Sequence, residues 1–355
     1  MSSTVDSPIS SSKIQIHQLD RLAPRSAFLL FYAGHPPHQT MISSLSARHI
    51  ARIARQQPLR LFSSQDSLVV TNVHEESGVA VLAMNRPPAN SLSLELNEAI
   101  STSLKQIESN PKIQSVILAS SNPTIFSAGL DITELISPSD ERLPKFWNSL
   151  QQVYIDLYGS RLATVAAIQG HAPAAGCMLA LACDYRIMHG GHGEEHLPTI
   201  GFNETQLGIA APPWMGQLMV RTIGFRPAER ALALGTLFPP SEALNAGVVD
   251  DVITEQSSSE SNEVLKALLP EALQSQTSNP VMIKAYEEAA CYAKIPPQAR
   301  VASKLVTRSE SLKEMQMTRE DDTQHFCGFI THEVVQKNLM KYVEKMKQRG
   351  KAKKS

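Results

Sequence analysis

Several features that would point to a function are scarce or missing in this sequence. Its 355 residues include four cysteines (Cys177, Cys183, Cys291 and Cys327), and no two of them form a Cys-x-x-Cys pair. So few and so widely spaced, they exclude a disulfide scaffold and a zinc ribbon, and they fit a reducing compartment. No apolar run approaches the roughly 18 residues that a membrane-crossing helix needs, so the sequence predicts no membrane span.

An excess of charge of one sign is also lacking, because 33 basic residues nearly balance 34 acidic residues. A protein whose main partner is a nucleic-acid backbone normally carries a basic excess, so we expect no nucleic-acid partner. The sequence has no Gly-x-Gly-x-x-Gly fingerprint, no Gly-x-x-x-x-Gly-Lys loop and no Gly-x-Ser-x-Gly turn. These absences argue against a dinucleotide enzyme, a P-loop nucleotidase and a serine hydrolase.

The near-neutral average conceals a cationic N-terminus. Residues 1–62 hold seven basic and two acidic residues, which leaves 26 basic against 32 acidic residues in 63–355. The stretch from Met41 to Ser64 contains four arginines, five serines and no acidic residue, with apolar residues at helical spacing. This pattern predicts a mitochondrial transit peptide over 41–62, cleaved after Phe62, and a mature protein in the matrix. Residues 1–40 are either an alternative leader or disordered.

Regular hydrophobic periodicity begins at Gly78. Apolar runs predict strands over 79–84, 115–119, 163–168 and 185–188, and helical stripes predict helices from 94 onward, over 143–159 and over 174–182. The alternation predicts an α/β core over 63–255. Beyond that point only helical patterns remain, over 264–274, 281–293 and 324–348, so we predict a C-terminal helical region over 256–355.

One motif suggests a metal site but has the wrong surroundings. His192 to His196 matches His-x-x-Glu-His, which binds zinc when both histidines lie on one face of a helix. Three nearby glycines and Pro198 disfavour a helix there. We therefore predict a surface loop and no metal site.

Two turns and one carboxylate remain as candidate chemistry. Phe126–Ile132 and Gly170–Cys177 are turns of small residues between a strand and a helix, where free backbone N–H groups can bind a developing negative oxygen. Glu204 stands alone in the segment 201–208, and burial would raise its pKa toward neutrality. Each also has a simpler explanation, namely ordinary strand-to-helix turns and a solvated loop glutamate.

The order of these segments resembles the crotonase (enoyl-CoA hydratase/isomerase) superfamily, and in particular its isomerases. The resemblance extends from about Val79 to Gln348 and is carried by Pro88–Glu95, Phe126–Ile132, Cys183–Ile187, Asn203–Ile209 and Leu237–Leu244. It implies a crotonase-like spiral of β-β-α units, a C-terminal helical trimerisation region and a homotrimer. It also implies an acyl-CoA thioester as the substrate, with no metal and no other cofactor.

The same resemblance implies roles for individual residues. The oxyanion hole would be formed by the N–H groups of Leu130 and Ala175, where Ala175 replaces a glycine of the isomerase pattern. The substrate- and CoA-binding residues would be Ala128, Gly129, Leu130, Asp131, Ile132 and Ala175. Glu204 would be the catalytic residue, moving a proton from C2 of a 3-enoyl-CoA and allowing protonation at C4, which gives trans-2-enoyl-CoA.

Two other functions remain open from the sequence. Hydratases of the superfamily use two glutamates to activate water, and Met178 stands where the first of them would be. This favours an isomerase, because a proton shift needs one base. The alternatives are a 2-enoyl-CoA hydratase and a non-catalytic crotonase-fold protein that serves in assembly or RNA binding.

Overall fold

The structure, a computed structural model, describes residues 67–191, 197–254 and 263–352. Both predicted leader segments, 1–40 and 41–62, lie outside the described residues, as does the His192 to His196 motif. Residue 255, the predicted end of the α/β core, also lies outside them.

The described residues form eight strands. They are β1 (Val69–His74), β2 (Val79–Met84), β3 (Ser115–Ser120), β4 (Ala163–Ile168), β5 (Ala172–Pro173), β6 (Tyr185–His189), β7 (Ile200–Gly201) and β8 (Asp251–Ile253). Six of them make one sheet in the order β1-β2-β3-β4-β6-β8, and the short β5 and β7 pair with each other. The β1–β2 pair is antiparallel and every other pair is parallel, so the predicted mixed α/β class is confirmed.

Ten α-helices connect and cover these strands within the described residues. They are α1 (Leu94–Ser109), α2 (Arg142–Gly159), α3 (Ala175–Ala182), α4 (Pro213–Ile223), α5 (Phe225–Leu234), α6 (Pro240–Ala246), α7 (Glu263–Leu268), α8 (Pro280–Ala293), α9 (Pro297–Ile330) and α10 (Glu333–Ala352). Three short 3₁₀ helices lie at Ile132–Glu134, Glu204–Leu207 and Glu271–Gln276. None of the described helices is long and apolar enough to cross a lipid bilayer.

The six-stranded sheet is buried on both faces, which is why its central strands are continuous apolar runs. Along β3, Val116 and Leu118 face a core that includes side chains of α1, α2 and α3. Ile117 and Ala119 point the opposite way, into a second core that includes side chains of α7 and α8. The sheet is therefore the middle layer, and α8 from the C-terminal region covers one of its faces.

The C-terminal helices differ from the predicted ones. The sequence predicts a single helix over 324–348, but α9 ends at Ile330 and α10 begins at Glu333, with Thr331 and His332 between them. The helix α9 begins at Pro297, well before the predicted start. The hydrophobic spacing did not reveal this part, because the buried face of α9 includes the polar residues Arg300, Ser311 and Thr323. The helix predicted over 264–274 is also interrupted, and α7 is separated from the following 3₁₀ helix by a segment that includes Pro270.

A buried charge cluster attaches α9 to the sheet. Asp184, just before β6, accepts a hydrogen bond from the Thr164 N–H and pairs with Lys304 at 2.8 Å and Arg308 at 2.9 Å. The Arg308 guanidinium also lies 4.3 Å from the ring centre of Tyr158 on α2. These contacts hold the N-terminal half of α9 against the start of β4 and β6.

Candidate active site

The first predicted turn is held in place by backbone pairing. Gly129 has φ 84°, and its carbonyl accepts the N–H of Leu92 at 2.8 Å, while the N–H of Asp131 donates to the Leu92 carbonyl at 2.9 Å. Leu130 lies between these two bonds, and its own N–H donates in none of the hydrogen bonds formed among the described residues. The turn therefore presents one free backbone donor at a fixed position.

The second predicted turn leads from β5 into α3. Ala174 has φ 50° and ψ −125°, a conformation that favours glycine, and its N–H donates to the Gly201 carbonyl at 2.8 Å. Ala175 is the first residue of α3, where an amide has no partner inside the helix. The backbone angle that favours glycine thus lies at Ala174, and the methyl group of Ala175 needs no such angle.

The fold brings these two turns into direct contact. A side-chain carbon added at Gly129 would lie 3.0 Å from Cβ of Ala174 and 3.3 Å from the nitrogen of Ala175. One added at Gly176 would overlap the carbonyl oxygen of Ser127. Glycine at positions 129 and 176 is therefore required for the two turns to pack this closely. As a result, the amides of Leu130 and Ala175 lie on adjoining backbone segments.

Glu204 reaches the same place through the small second sheet. The strand β7, three residues before it, pairs with β5 in the register Ala172 to Ile200, so the two segments leave this sheet side by side. The Glu204 side chain is buried, and its Oε2 has no hydrogen-bond partner among the described residues. Burial raises the pKa of Glu204 to about 7. Burial, and secondly the charge of Glu204, raise the pKa of the Cys177 thiol on α3 well above its usual value.

Glu204 differs from the other carboxylates buried in the described part of the chain, Asp131 and Glu134. Asp131 pairs with Arg86 at 2.6 Å, and Glu134 pairs with Arg142 at 2.6 Å. Burial alone would raise the pKa of Asp131, but hydrogen bonds from Thr133 and Arg86 outweigh it and lower that pKa. No cation pairs with Glu204 among the residues that the structure describes, so it is the buried carboxylate suited to exchange protons near neutral pH.

The remaining predicted residues belong to the first turn or directly follow it. Ala128 is exposed and Gly129 is buried beside the second turn, while Asp131 caps the 3₁₀ helix that begins at Ile132. Met178, on α3, is fully buried. The two turns therefore adjoin, Glu204 lies on the segment that leaves the small sheet beside the second turn, and the helix that begins at Ala175 carries the apolar thioether of Met178.

One part of this site was missed from the sequence. The apolar cluster beside Leu130 and Ile132 contains residues of α9 and α10, namely Ile330, Val335 and Leu339. Gln336 accepts a hydrogen bond from the Ser137 N–H at 3.0 Å and donates to the carbonyls of Leu135 and Ile330. A side-chain carbon at Gly208, after the 3₁₀ helix of Glu204, would lie 2.9 Å from Nδ2 of Asn338. The C-terminal helix therefore covers the site of its own chain, which only the four-residue spacing of Val335 and Leu339 hinted at.

A separate cavity of about 340 Å³ lies between α2, α4 and α9 and shares no residue with this site. Its lining includes Asp322, whose Oδ2 accepts the indole N–H groups of Trp147 at 2.7 Å and Trp214 at 3.3 Å. No group of three or more potential metal ligands occurs among the residues that the structure describes.

Comparisons with known proteins find matches over more than half of the chain. A family model described as enoyl-CoA hydratase/isomerase matches residues 74–289. The chain is 40% identical over 290 residues to the rat protein named enoyl-CoA delta isomerase 1, mitochondrial, covering 82% of this chain and 90% of the relative. It is 31% identical over 204 residues to the human mitochondrial methylglutaconyl-CoA hydratase, covering 56% and 58% of the two chains.

Solved structures show the same likeness. The crystal structure of human mitochondrial delta3-delta2-enoyl-CoA isomerase matches with a TM-score of 0.70 and 38% identity, over 80% of this chain and 99% of that one. An enoyl-CoA hydratase from Bacillus halodurans matches with a TM-score of 0.62 at 22% identity, over 77% and 99%. The second match bears on the fold alone.

Proposed function

The chain belongs to the enoyl-CoA hydratase/isomerase family, as its motifs indicated, and we propose that it is a Δ3,Δ2-enoyl-CoA isomerase. Its substrate is a cis- or trans-3-enoyl-CoA, and its product is trans-2-enoyl-CoA. This reaction returns unsaturated fatty acids to β-oxidation. The activity named for the relatives at about 40% identity supports this proposal, and the state of Glu204 is the observation that carries it.

Glu204 is the base of the proposed reaction. An unpaired, buried carboxylate with a pKa of about 7 is ionised in a useful fraction at neutral pH and becomes a sufficiently strong acid once protonated. It takes a proton from C2 of the substrate, which leaves a dienolate conjugated with the thioester. The dienolate is then protonated at C4, so the double bond moves to C2 and the carboxylate is regenerated.

The two free amides stabilise the dienolate. Negative charge develops on the thioester oxygen as C2 loses its proton, and the N–H groups of Leu130 and Ala175 are the donors that bind it. Removal of one such donor costs roughly 3 to 4 kcal/mol in other enzymes. The segment from Ala128 to Ile132 binds the CoA portion along the same approach.

An isomerase fits this site better than a hydratase. A hydratase adds water with two carboxylates, and the fully buried Met178 stands where the first of them would be. The other buried carboxylates in the described residues, Asp131 and Glu134, are held in ion pairs. The site thus offers one base and an apolar wall, which suits a proton shift and disfavours addition of water.

The proposal extends to assembly and location. The protein works as a homotrimer in the mitochondrial matrix after loss of a transit peptide that ends at Phe62. A 1,3-proton shift changes no oxidation state of the substrate as a whole, so the reaction requires neither a metal nor a redox cofactor. The mitochondrial designation of the rat, human and mouse relatives supports this location.

The test uses purified protein and 3-hexenoyl-CoA, with the ultraviolet absorbance of the conjugated 2-enoyl thioester as the readout. We expect absorbance to rise with wild type and the rate to fall at least about 1,000-fold with Glu204→Gln, because the variant has no base. Hydration of 2-hexenoyl-CoA should be negligible in the same preparation. Undiminished isomerisation by Glu204→Gln, or rapid hydration by wild type, would refute the proposal.

A further inference from the structure

The loop after β2 is joined to the first turn by an unusual concentration of hydrogen bonds centred on Asn90. The side-chain Oδ1 of Asn90 accepts the N–H of Arg86 at 2.8 Å, and its Nδ2 donates to Ser120 Oγ at 2.7 Å and to the Phe126 carbonyl at 3.2 Å. Its backbone carbonyl accepts the Ser127 hydroxyl at 2.8 Å. Asn90 is 1% exposed, so these bonds form out of contact with water.

This set of bonds, the Asn90 hub, leads directly to the donor of the oxyanion hole. The Ser127 hydroxyl that donates to Asn90 also accepts the N–H of Gly129 at 3.3 Å. Gly129 precedes Leu130, whose N–H is free to bind the substrate oxygen. Buried hydrogen bonds therefore connect Asn90 through Ser127 to Gly129, the residue before the Leu130 donor.

The backbone of Asn90 adds a second observation. Its φ is 47°, in the left-handed region, where asparagine and glycine are tolerated better than other residues. Asn90 is held in this conformation by its surroundings, because it is fully buried and every polar group of its side chain is hydrogen-bonded. Such residues concentrate near functional sites, where a fixed backbone is needed.

We propose that Asn90 is a positioning residue, whose side-chain amide fixes the turn 126–131 so that the Leu130 N–H points at the thioester oxygen. The inference rests on the proposed isomerase reaction and adds to it a residue that does not touch the substrate. Its contribution appears in the transition state, because an oxyanion donor that is misdirected by a fraction of an ångström loses strength mainly as charge develops.

The primary test compares Asn90→Gly with wild type, using 3-hexenoyl-CoA. Glycine keeps the left-handed backbone accessible and deletes only the side-chain bonds, so the experiment separates the amide from the φ angle. We expect kcat to fall about 10- to 100-fold while KM changes by less than about threefold, the pattern of an interaction made only in the transition state. Binding of acetoacetyl-CoA, followed by the absorbance of its enolate, should weaken, while binding of CoA alone should not.

A matched control and a milder variant complete the design. Asn72, 7% exposed on β1, donates to the carbonyls of Ala267 and Leu268 and has no contact with the site, so Asn72→Ala should lower the melting temperature but leave kcat unchanged. Should Asn90→Gly fail to fold, Ser127→Ala removes one hydroxyl of the hub and is expected to lower kcat in the same way. A kcat within twofold of wild type in the folded hub variant overturns the positioning role. Absence of isomerisation by wild type overturns the proposed function instead.

Discussion

At the scale of single residues, Glu204 gives the clearest dependence on pH. Burial raises its pKa to about 7, and the proposed base must be ionised before it can take a proton. We therefore expect kcat/KM for 3-hexenoyl-CoA to rise with pH through about 7 and to reach a plateau above it. A pH–rate profile between pH 5 and 9 checks this expectation. A rate that is almost constant over this range would mean that Glu204 titrates near the ordinary glutamate pKa of 4.5 and is solvated in the working enzyme.

The same carboxyl group makes the protein less stable at the pH where it works. Its pKa is about 7 in the folded chain and about 4.5 in the unfolded chain, so the folded state binds the extra proton between these values. The associated stability is present below pH 4.5 and is lost as pH rises through 7, by roughly 3 kcal/mol. We expect Glu204→Gln to be more stable than wild type to urea at pH 8, by up to that amount, and the gain to shrink at pH 5. The exposed Glu98→Gln is the control and should show no such gain.

The sequence resemblance proposes which residues form the site, but it says nothing about their burial or ion pairing. Glu204 could be proposed as the base from the motif around it, whereas its burial comes from tertiary packing that no local pattern encodes. The helix α10, more than 120 residues away, contacts Gly208 just after the same 3₁₀ helix. Ala175 stands where the isomerase pattern has a glycine, and the sequence does not show which residue of the turn takes a left-handed backbone angle. That residue is Ala174, one position before the helix begins.

At the scale of secondary-structure elements, the attachment of α10 decides how well the site is covered. Gln336 makes three hydrogen bonds to the Ser137 N–H and to the carbonyls of Leu135 and Ile330. We expect Gln336→Ala to lower the free energy of local opening of α10 by roughly 2 kcal/mol. This corresponds to about 30-fold faster amide exchange in this helix. Hydrogen–deuterium exchange measured on peptides that cover 333–344 checks this.

The neighbouring Lys337→Ala serves as the control for α10. Its ion pair with Glu333 joins side chains that are 65% and 78% exposed, and such surface pairs contribute little. Exchange in α10 should therefore be unchanged in this variant. Equal acceleration in both variants would show that Gln336 acts only through general helix stability and does not hold α10 over the site.

Elements with a strong pattern of apolar residues were predictable, whereas elements that bury polar or charged side chains were not. The runs of β2, β3 and β4 are apolar throughout because both faces of the sheet are covered. The strand β1 carries Thr71 and Asn72 among its valines and was not predicted. The helix α9 is held partly by Lys304 and Arg308 on Asp184, and a buried ion cluster gives no signal in hydrophobic spacing.

At the scale of the whole molecule, α9 carries large apolar side chains that are exposed. Val306 and Met317 are 82% and 83% exposed, and their spacing of 11 residues, about three helical turns, places them on one face. Phe225 and Leu234 on α5 are also more than half exposed. Large apolar side chains aligned in this way are typical of a surface that another chain covers, and the proposed occupant is a second copy.

This argument leads to a test of the trimer. We expect residues 63–355 to have the mass of a trimer by light scattering at micromolar concentration, and Val306→Glu combined with Met317→Glu to shift the mass toward the monomer. Two charges placed in an apolar interface without partners are costly enough to prevent assembly. Val334→Glu, on the exposed side of α10, is the control and should remain trimeric. A monomeric wild type would refute the homotrimer, and a trimeric double variant would show that this face of α9 lies outside the interface.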